Sequence, residues 1–86
     1  MCYVYVLACA DGSLYTGWCC SLERRLQTHR RGRGSKYVRS RLPFQLAAFW
    51  AVPNPASARK QEAAFKRLKR PAKLELIKAR RTKRPL

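Results

Sequence analysis

Residues 2–9, Cys-Tyr-Val-Tyr-Val-Leu-Ala-Cys, form an apolar run of β-branched and aromatic side chains that predicts a strand. Asp11-Gly12 supplies turn chemistry, and Ser13-Leu14-Tyr15-Thr16-Gly17-Trp18 reads as the returning strand of a hairpin. Side chains alternate across a strand, so Tyr3, Tyr5 and Leu7 share one face. Gly17 marks a point where the backbone bends or is closely approached. From Leu22 to about Arg30 the period becomes helical: Leu22, Arg25, Leu26 and His29 fall at i, i+3, i+4 and i+7. Ser21 is placed to cap this helix, and Glu23 sits in its first turn, where the helix dipole favours an acid. Arg25 and His29 are thereby drawn toward whatever Leu22 and Leu26 pack on.

Gly32 and Gly34 close the helix, and 35–41 reads as a basic loop or short helix. Phe44-Gln45-Leu46-Ala47-Ala48-Phe49-Trp50-Ala51-Val52 is apolar on both faces, as expected of a strand buried on two sides. Pro53-Asn54-Pro55 ends it, and Asn54 or Ser57 caps a helix running to about Lys69. Ala58, Gln61, Phe65 and Leu68 form that helix's inner stripe, with Glu62 at its edge. Pro71 precedes a last short helix, roughly Lys73 to Ala79, that turns Leu74 and Ile77 inward. The order β-β-α-(short α)-β-α-α predicts a small α+β domain over residues 1–79, built on a three-stranded antiparallel sheet flanked by helices. A basic tail, 80–86, is expected to be mobile.

Composition narrows the function. Twenty Lys and Arg stand against four Asp and Glu in 86 residues, for a net charge of +16. So much positive charge opposes compaction by self-repulsion, which points to a polyanionic partner, and nucleic acid leads the candidates. Thirteen of the twenty cations are Arg, whose planar fork matches phosphate. A 47% hydrophobic content implies a packed core and not a disordered tail. No apolar run is long enough to span a bilayer, and the first residues lack a charged leader region, so a soluble, cytoplasmic protein is expected. Cys2, Cys9, Cys19 and Cys20 contain no C-x-x-C pair and His29 is the only histidine, which argues against a zinc site. Without a secretion signal a disulfide is not expected either, and the cysteines read as small buried filler.

Periodicity sends several polar side chains inward: Tyr5 with Tyr3 behind it, Tyr15, Arg25, His29 and Glu62. In a nuclease each type has work to do. A carboxylate holds a divalent cation, an Arg fork steadies transition-state charge, and a phenol or imidazole handles the proton of the attacking water. Only four carboxylates can serve a hard metal. Asp11 lies in the turn, Glu23 at a helix start and Glu75 on a late surface helix, which leaves Glu62. Arg33, Lys36, Arg39 and Arg41 are placed to contact phosphates without reading sequence.

Tyr3-Val4-Tyr5, with Tyr5 ten residues before the Tyr15 of Tyr15-Thr16-Gly17, resembles the paired signature of the GIY-YIG nucleases. Arg25 and His29, eight and twelve residues after Gly17, fit that family's helix, and Glu62 in Ala58-Arg59-Lys60-Gln61-Glu62 fits its metal-binding glutamate. The stretch from Gly32 to Arg39 is similar to small stand-alone bacterial members, near the catalytic domain of Slx-type structure-specific endonucleases. Tyr3 stands where the first triplet usually has Gly, and Thr16 occupies the centre of the second; both functional tyrosines remain. The resemblance implies a metal-dependent endonuclease acting on DNA in repair, recombination or processing, nucleoid-associated when bound to DNA. One Mg²⁺ or Mn²⁺ would sit on Glu62, with Tyr5 as general base, Tyr15 orienting water or phosphate, Arg25 on the scissile phosphate and His29 assisting. A free phenol titrates near ~10, and the cationic surplus is expected to favour its phenolate. The competing class is a basic DNA- or RNA-binding protein that keeps the fold without turnover.

Overall fold

The computed structural model describes residues 1–82, with side chains through Arg80. Strand β1 (Cys2–Cys9) and strand β2 (Leu14–Cys19) form the hairpin, and β3 (Phe44–Val52) pairs antiparallel with the other side of β1. The sheet order is therefore β2-β1-β3. Helices α1 (Leu22–Arg30) and α2 (Lys36–Arg39) cover one face, while α3 (Pro55–Lys66) and α4 (Arg70–Thr82) cover the other. The three-stranded α+β architecture is the expected one.

Sheet order assigns burial differently from the apolar patterns. The strand buried on both faces is β1, where Val4, Tyr5, Val6 and Leu7 are all buried. β3 is an edge strand, and Gln45 and Ala51 on it are exposed. Its apolar residues are shared between two layers. Phe44 joins Tyr5, Leu7, Leu26 and Val38 beneath α1 and α2, whereas Ala48 joins Val6, Phe65 and Ile77 beneath α3 and α4.

The turn between β1 and β2 is built by Asp11 and Gly12. Asp11 Oδ1 accepts from the Ser13 amide at 3.0 Å and its hydroxyl at 2.6 Å, while Gly12 takes φ +84°. Ser21 occupies the cap position of α1 with extended backbone, but its side chain makes no capping hydrogen bond. Asn54 caps α3, accepting from the Ser57 amide at 2.8 Å. That helix ends at Lys66, three residues early, because an uninterrupted helix would drive the Pro71 ring into the carbonyl of Arg67. The chain restarts at Arg70, placing Pro71 in the first turn of α4, where its missing N–H costs nothing. α4 continues past Ala79 to Thr82 because no Gly or Pro interrupts it there; the rest of the expected tail lies outside the described residues. Ile77 is buried as expected, but Leu74 is exposed, and so is Gln61 on α3.

One covalent feature overturns an expectation: Cys2 and Cys20 form a disulfide. The register pairs Tyr3 with Cys19, so the residues just beyond that pair meet at the end of the sheet, a proximity that spacing along the chain does not reveal. Cys9 and Cys19 are free and buried, the filler role expected for all four.

Candidate active site

Tyr5 lies in the centre of β1, directly opposite Gly17 of β2. Its ring crosses the glycine so closely that a Cβ there would stand 2.6 Å from the hydroxyl. From above, His29 of α1 reaches down, and its Nε2 lies 2.8 Å from the Tyr5 hydroxyl in a buried hydrogen bond. Both residues are only 1% exposed. Gly34 backs the other end of the imidazole, since a Cβ at 34 would collide with Nδ1. Two glycines, one per side, therefore cradle a single buried tyrosine–histidine pair. Gly32, at φ +75°, does terminate α1, whereas Gly34 serves close approach.

Tyr15 flanks the pair, its ring centroid 5.5 Å from His29 and 6.5 Å from Tyr5. Tyr37 of α2 stacks on Tyr15 at 5.9 Å, and the Arg41 guanidinium covers the ring of Tyr37 at 3.8 Å. Arg41 also binds Asp11 Oδ2 at 2.9 Å and donates to the Tyr37 carbonyl and the Ser40 hydroxyl. With partners on both sides its ring is a wall, not a platform for a base. Of the four cations expected on phosphate, Arg41 is already committed to this clamp. Arg33, Lys36 and Arg39 have exposed side chains without an ion pair or hydrogen bond among the described residues.

Electrostatics revise the phenolate expectation. Burial is the largest influence on Tyr5 and pushes its phenol well above the ordinary value; Tyr15 adds to this, while the charge of Arg25 acts in the opposite direction. His29 is pushed below its ordinary value, first by burial and then by Arg25. Both groups are consequently neutral at pH 7. Nδ1 of His29 has no hydrogen-bond partner among the described residues. Arg25 is exposed and lines a 360 Å³ cavity with Arg24, Thr28, Arg33 and Gly34.

The structure thus gathers Tyr5, Tyr15, His29 and Arg25 on one side of the sheet. Glu62 belongs to α3, which packs against the opposite face, and its carboxylate pairs with Lys66 at 3.5 Å. No hydrogen bond, ion pair or ring contact joins Glu62 to the other four among the described residues. Tyr3 packs at the margin, edge-on to Phe49. Sequence reasoning passed over Tyr37 and the role of Gly34. Tyr37 was the one tyrosine outside the strands, embedded in a cationic segment, and that was the available signal.

A helix-covered three-stranded sheet thus brings Tyr5, Tyr15, Arg25 and His29 to one face, and its class follows from a family match. The chain belongs to the GIY-YIG catalytic domain family, whose model matches residues 1–75. It is 49% identical over 76 residues to a UPF0213 protein of Streptococcus agalactiae, covering 88% of this chain and 86% of that one. A UPF0213 protein of Clostridium perfringens is 45% identical over 81 residues, covering 94% and 87%. The solution NMR structure of the UPF0213 protein BH0048 from Bacillus halodurans superposes with a TM-score of 0.60 at 44% identity, covering 92% of this chain and 85% of that one. That of the protein EF2693 from E. faecalis gives 0.64 at 37% identity, covering 98% and 90%. No helix among the described residues is long and apolar enough to cross a membrane.

Proposed function

We propose that this protein is a divalent-metal-dependent endonuclease that hydrolyses DNA phosphodiester bonds, in the service of DNA repair or processing. The observation that carries the reading is the buried 2.8 Å hydrogen bond between Tyr5 and His29, set beneath the exposed cation Arg25. A phenol held above its ordinary pKa is a poor base alone. Beside a neutral imidazole it becomes half of a relay. With Nε2 unprotonated, Tyr5 donates to His29; as the attacking water gives a proton to the Tyr5 oxygen, the Tyr5 proton passes to Nε2. The imidazolium then holds the proton, and no free phenolate forms. Arg25 presents its fork to the non-bridging phosphate oxygens, where transition-state charge develops. Tyr15, braced by Tyr37 and Arg41, keeps the tyrosine–histidine pair oriented.

No three of His, Cys, Asp and Glu converge as a metal cluster among the described residues. The donor set that remains is one half-buried carboxylate, Glu62, an oxygen ligand of the kind a hard cation takes. Glu62 would hold Mg²⁺ or Mn²⁺, which would supply Lewis-acid stabilisation of phosphoryl oxygen charge.

The test is cleavage of a panel of labelled single-stranded, duplex, flap and branched DNAs with Mn²⁺. Wild type is expected to cut, while Tyr5→Phe and Glu62→Gln bind with little change and lose roughly 10²-fold or more in rate. Binding without cleavage by wild type on every substrate would leave only the inactive-binder reading standing.

A further inference from the structure

Apart from Gly34, which backs His29, the segment from Gly32 to Arg39 is not used by the chemistry above, yet it is arranged as a receptor. Gly32, Arg33, Gly34, Ser35, Lys36 and Arg39 line a cavity of 380 Å³. It adjoins the cavity of Arg25, because Arg33 and Gly34 line both. We propose that this second cavity is a phosphate subsite that grips a phosphodiester of the same strand beside the one held by Arg25. The inference rests on the nuclease reading for the role of Arg25 and extends it to the size of the substrate.

Three independent features support the assignment. First, the three cations lining the cavity carry no ion pair among the described residues, and no carboxylate lines it, so the charge there is uncompensated. Second, the backbone N–H groups of Gly34 and Ser35 donate to no protein group among the described residues, leaving two donors for an anion. On the N-terminal side Gly32 and Arg33 donate back to α1, and beyond Lys36 the Tyr37 amide donates to the Ser35 hydroxyl at 3.2 Å. Third, the loop is preorganised. The stem of Arg39 packs over Gly32, where an added Cβ would stand 3.3 Å from Cγ, and Gly34 is pinned against the His29 ring. Arg41, two residues on, shows the contrast, since its guanidinium is consumed by Asp11, Tyr37 and Ser40.

Such a subsite makes a strand of several phosphates the preferred ligand over a single phosphodiester. It reads no base, because its donors are cations and amides suited to phosphate oxygens. It also ties the grip on the strand to the histidine, through Gly34.

The experiment titrates ¹⁵N-labelled protein with a thymidine dinucleotide, which has one phosphodiester, and with a thymidine tetranucleotide, which has three. The shorter probe is expected to shift chiefly the amides of Arg25 and Thr28, and the longer one also those of Gly34 and Ser35. Silence of Gly34 and Ser35 at saturation with the tetranucleotide overturns the proposal. A second arm measures binding of a fluorescent oligothymidylate by the triple variant Arg33→Gln, Lys36→Gln, Arg39→Gln. Loss of up to three phosphate contacts should flatten the slope of log K against log salt by about 2, with affinity falling roughly tenfold or more. An unchanged slope counts against the subsite. Should Gly34 and Ser35 respond while wild type cuts nothing with Mn²⁺, the subsite stands and the nuclease reading falls.

Discussion

Tyr5 and Val6 are adjacent in one strand, both buried, and they live in opposite worlds. Val6 faces α3 and α4, where Ala48, Phe65 and Ile77 complete an aliphatic and aromatic layer with no polar group at its centre. Tyr5 faces α1, where its hydroxyl meets an imidazole and both rings are shaped around glycines. The Val6 side gains stability from area removed from water. On the Tyr5 side two polar groups are held out of water, each compensated mainly by the other. One face of the sheet secures the fold and the other spends part of that stability on positioning.

The comparison breaks most forcefully at Phe65. Phe65→Ala removes the largest buried side chain among Val6, Ala48, Phe65 and Ile77 and is expected to cost about 3–5 kcal/mol by urea denaturation. Cleavage per folded molecule should be unaltered; a slower rate in the folded fraction would show that the two faces are not separable. A smaller stability cost, about 1–3 kcal/mol, is expected for Gly17→Ala, whose methyl must displace the Tyr5 ring. Here the rate should collapse with the Tyr5–His29 hydrogen bond. Retention of that bond, read from the His29 ring resonances, together with full activity would remove Gly17 from the cradle.

The smallest effect concerns pH. His29 titrates lower when folded than when unfolded, so the unfolded chain binds the extra proton as pH falls below about 6.5. Stability is therefore complete above that pH and declines as pH drops through the window beneath it. His29→Asn should flatten this decline below about pH 6.5, whereas Ile77→Val on the aliphatic face should lower stability without changing its pH slope. Asp11 titrates below its ordinary carboxylate value, held there by hydrogen bonds from Ser13 and then by Arg41, and so acts at lower pH. An identical slope in the His29 variant would show that the imidazole is not the group responsible.

Much of this arrangement was legible in the chain because it is local. The strand runs, the Asp11-Gly12 turn and the 3.6-residue stripe that carries Arg25 and His29 are each written within a few residues. The alternation that put Tyr3, Tyr5 and Leu7 together depends only on the pleat. What escaped was non-local. Two apolar strands looked alike, and only pairing decides that β1 is central and β3 an edge. Helical spacing puts Glu62 beside Ala58 and Phe65 but does not say which face of the sheet that stripe meets. The direction in which Tyr5 titrates needed its burial, which opposes the pull of the surrounding cations. Gly34 looked like a helix terminator because its true neighbour, His29, is reached through the fold and not along the chain.

The Cys2–Cys20 bond makes a covalent ring of the hairpin, spanning 18 positions of sequence. Rings of that size restrict the unfolded chain by about 3 kcal/mol in the chain-entropy account. Tyr5, Tyr15 and Gly17 all lie inside the ring, while His29 and Arg25 hang from the chain just outside it. An electron donor that opens the bond would therefore release Tyr5, Tyr15 and Gly17 from that tether, leaving Arg25 and His29 on α1 outside it as before. The persistence of the cradle thus becomes a property of the surrounding medium as well as of the sequence.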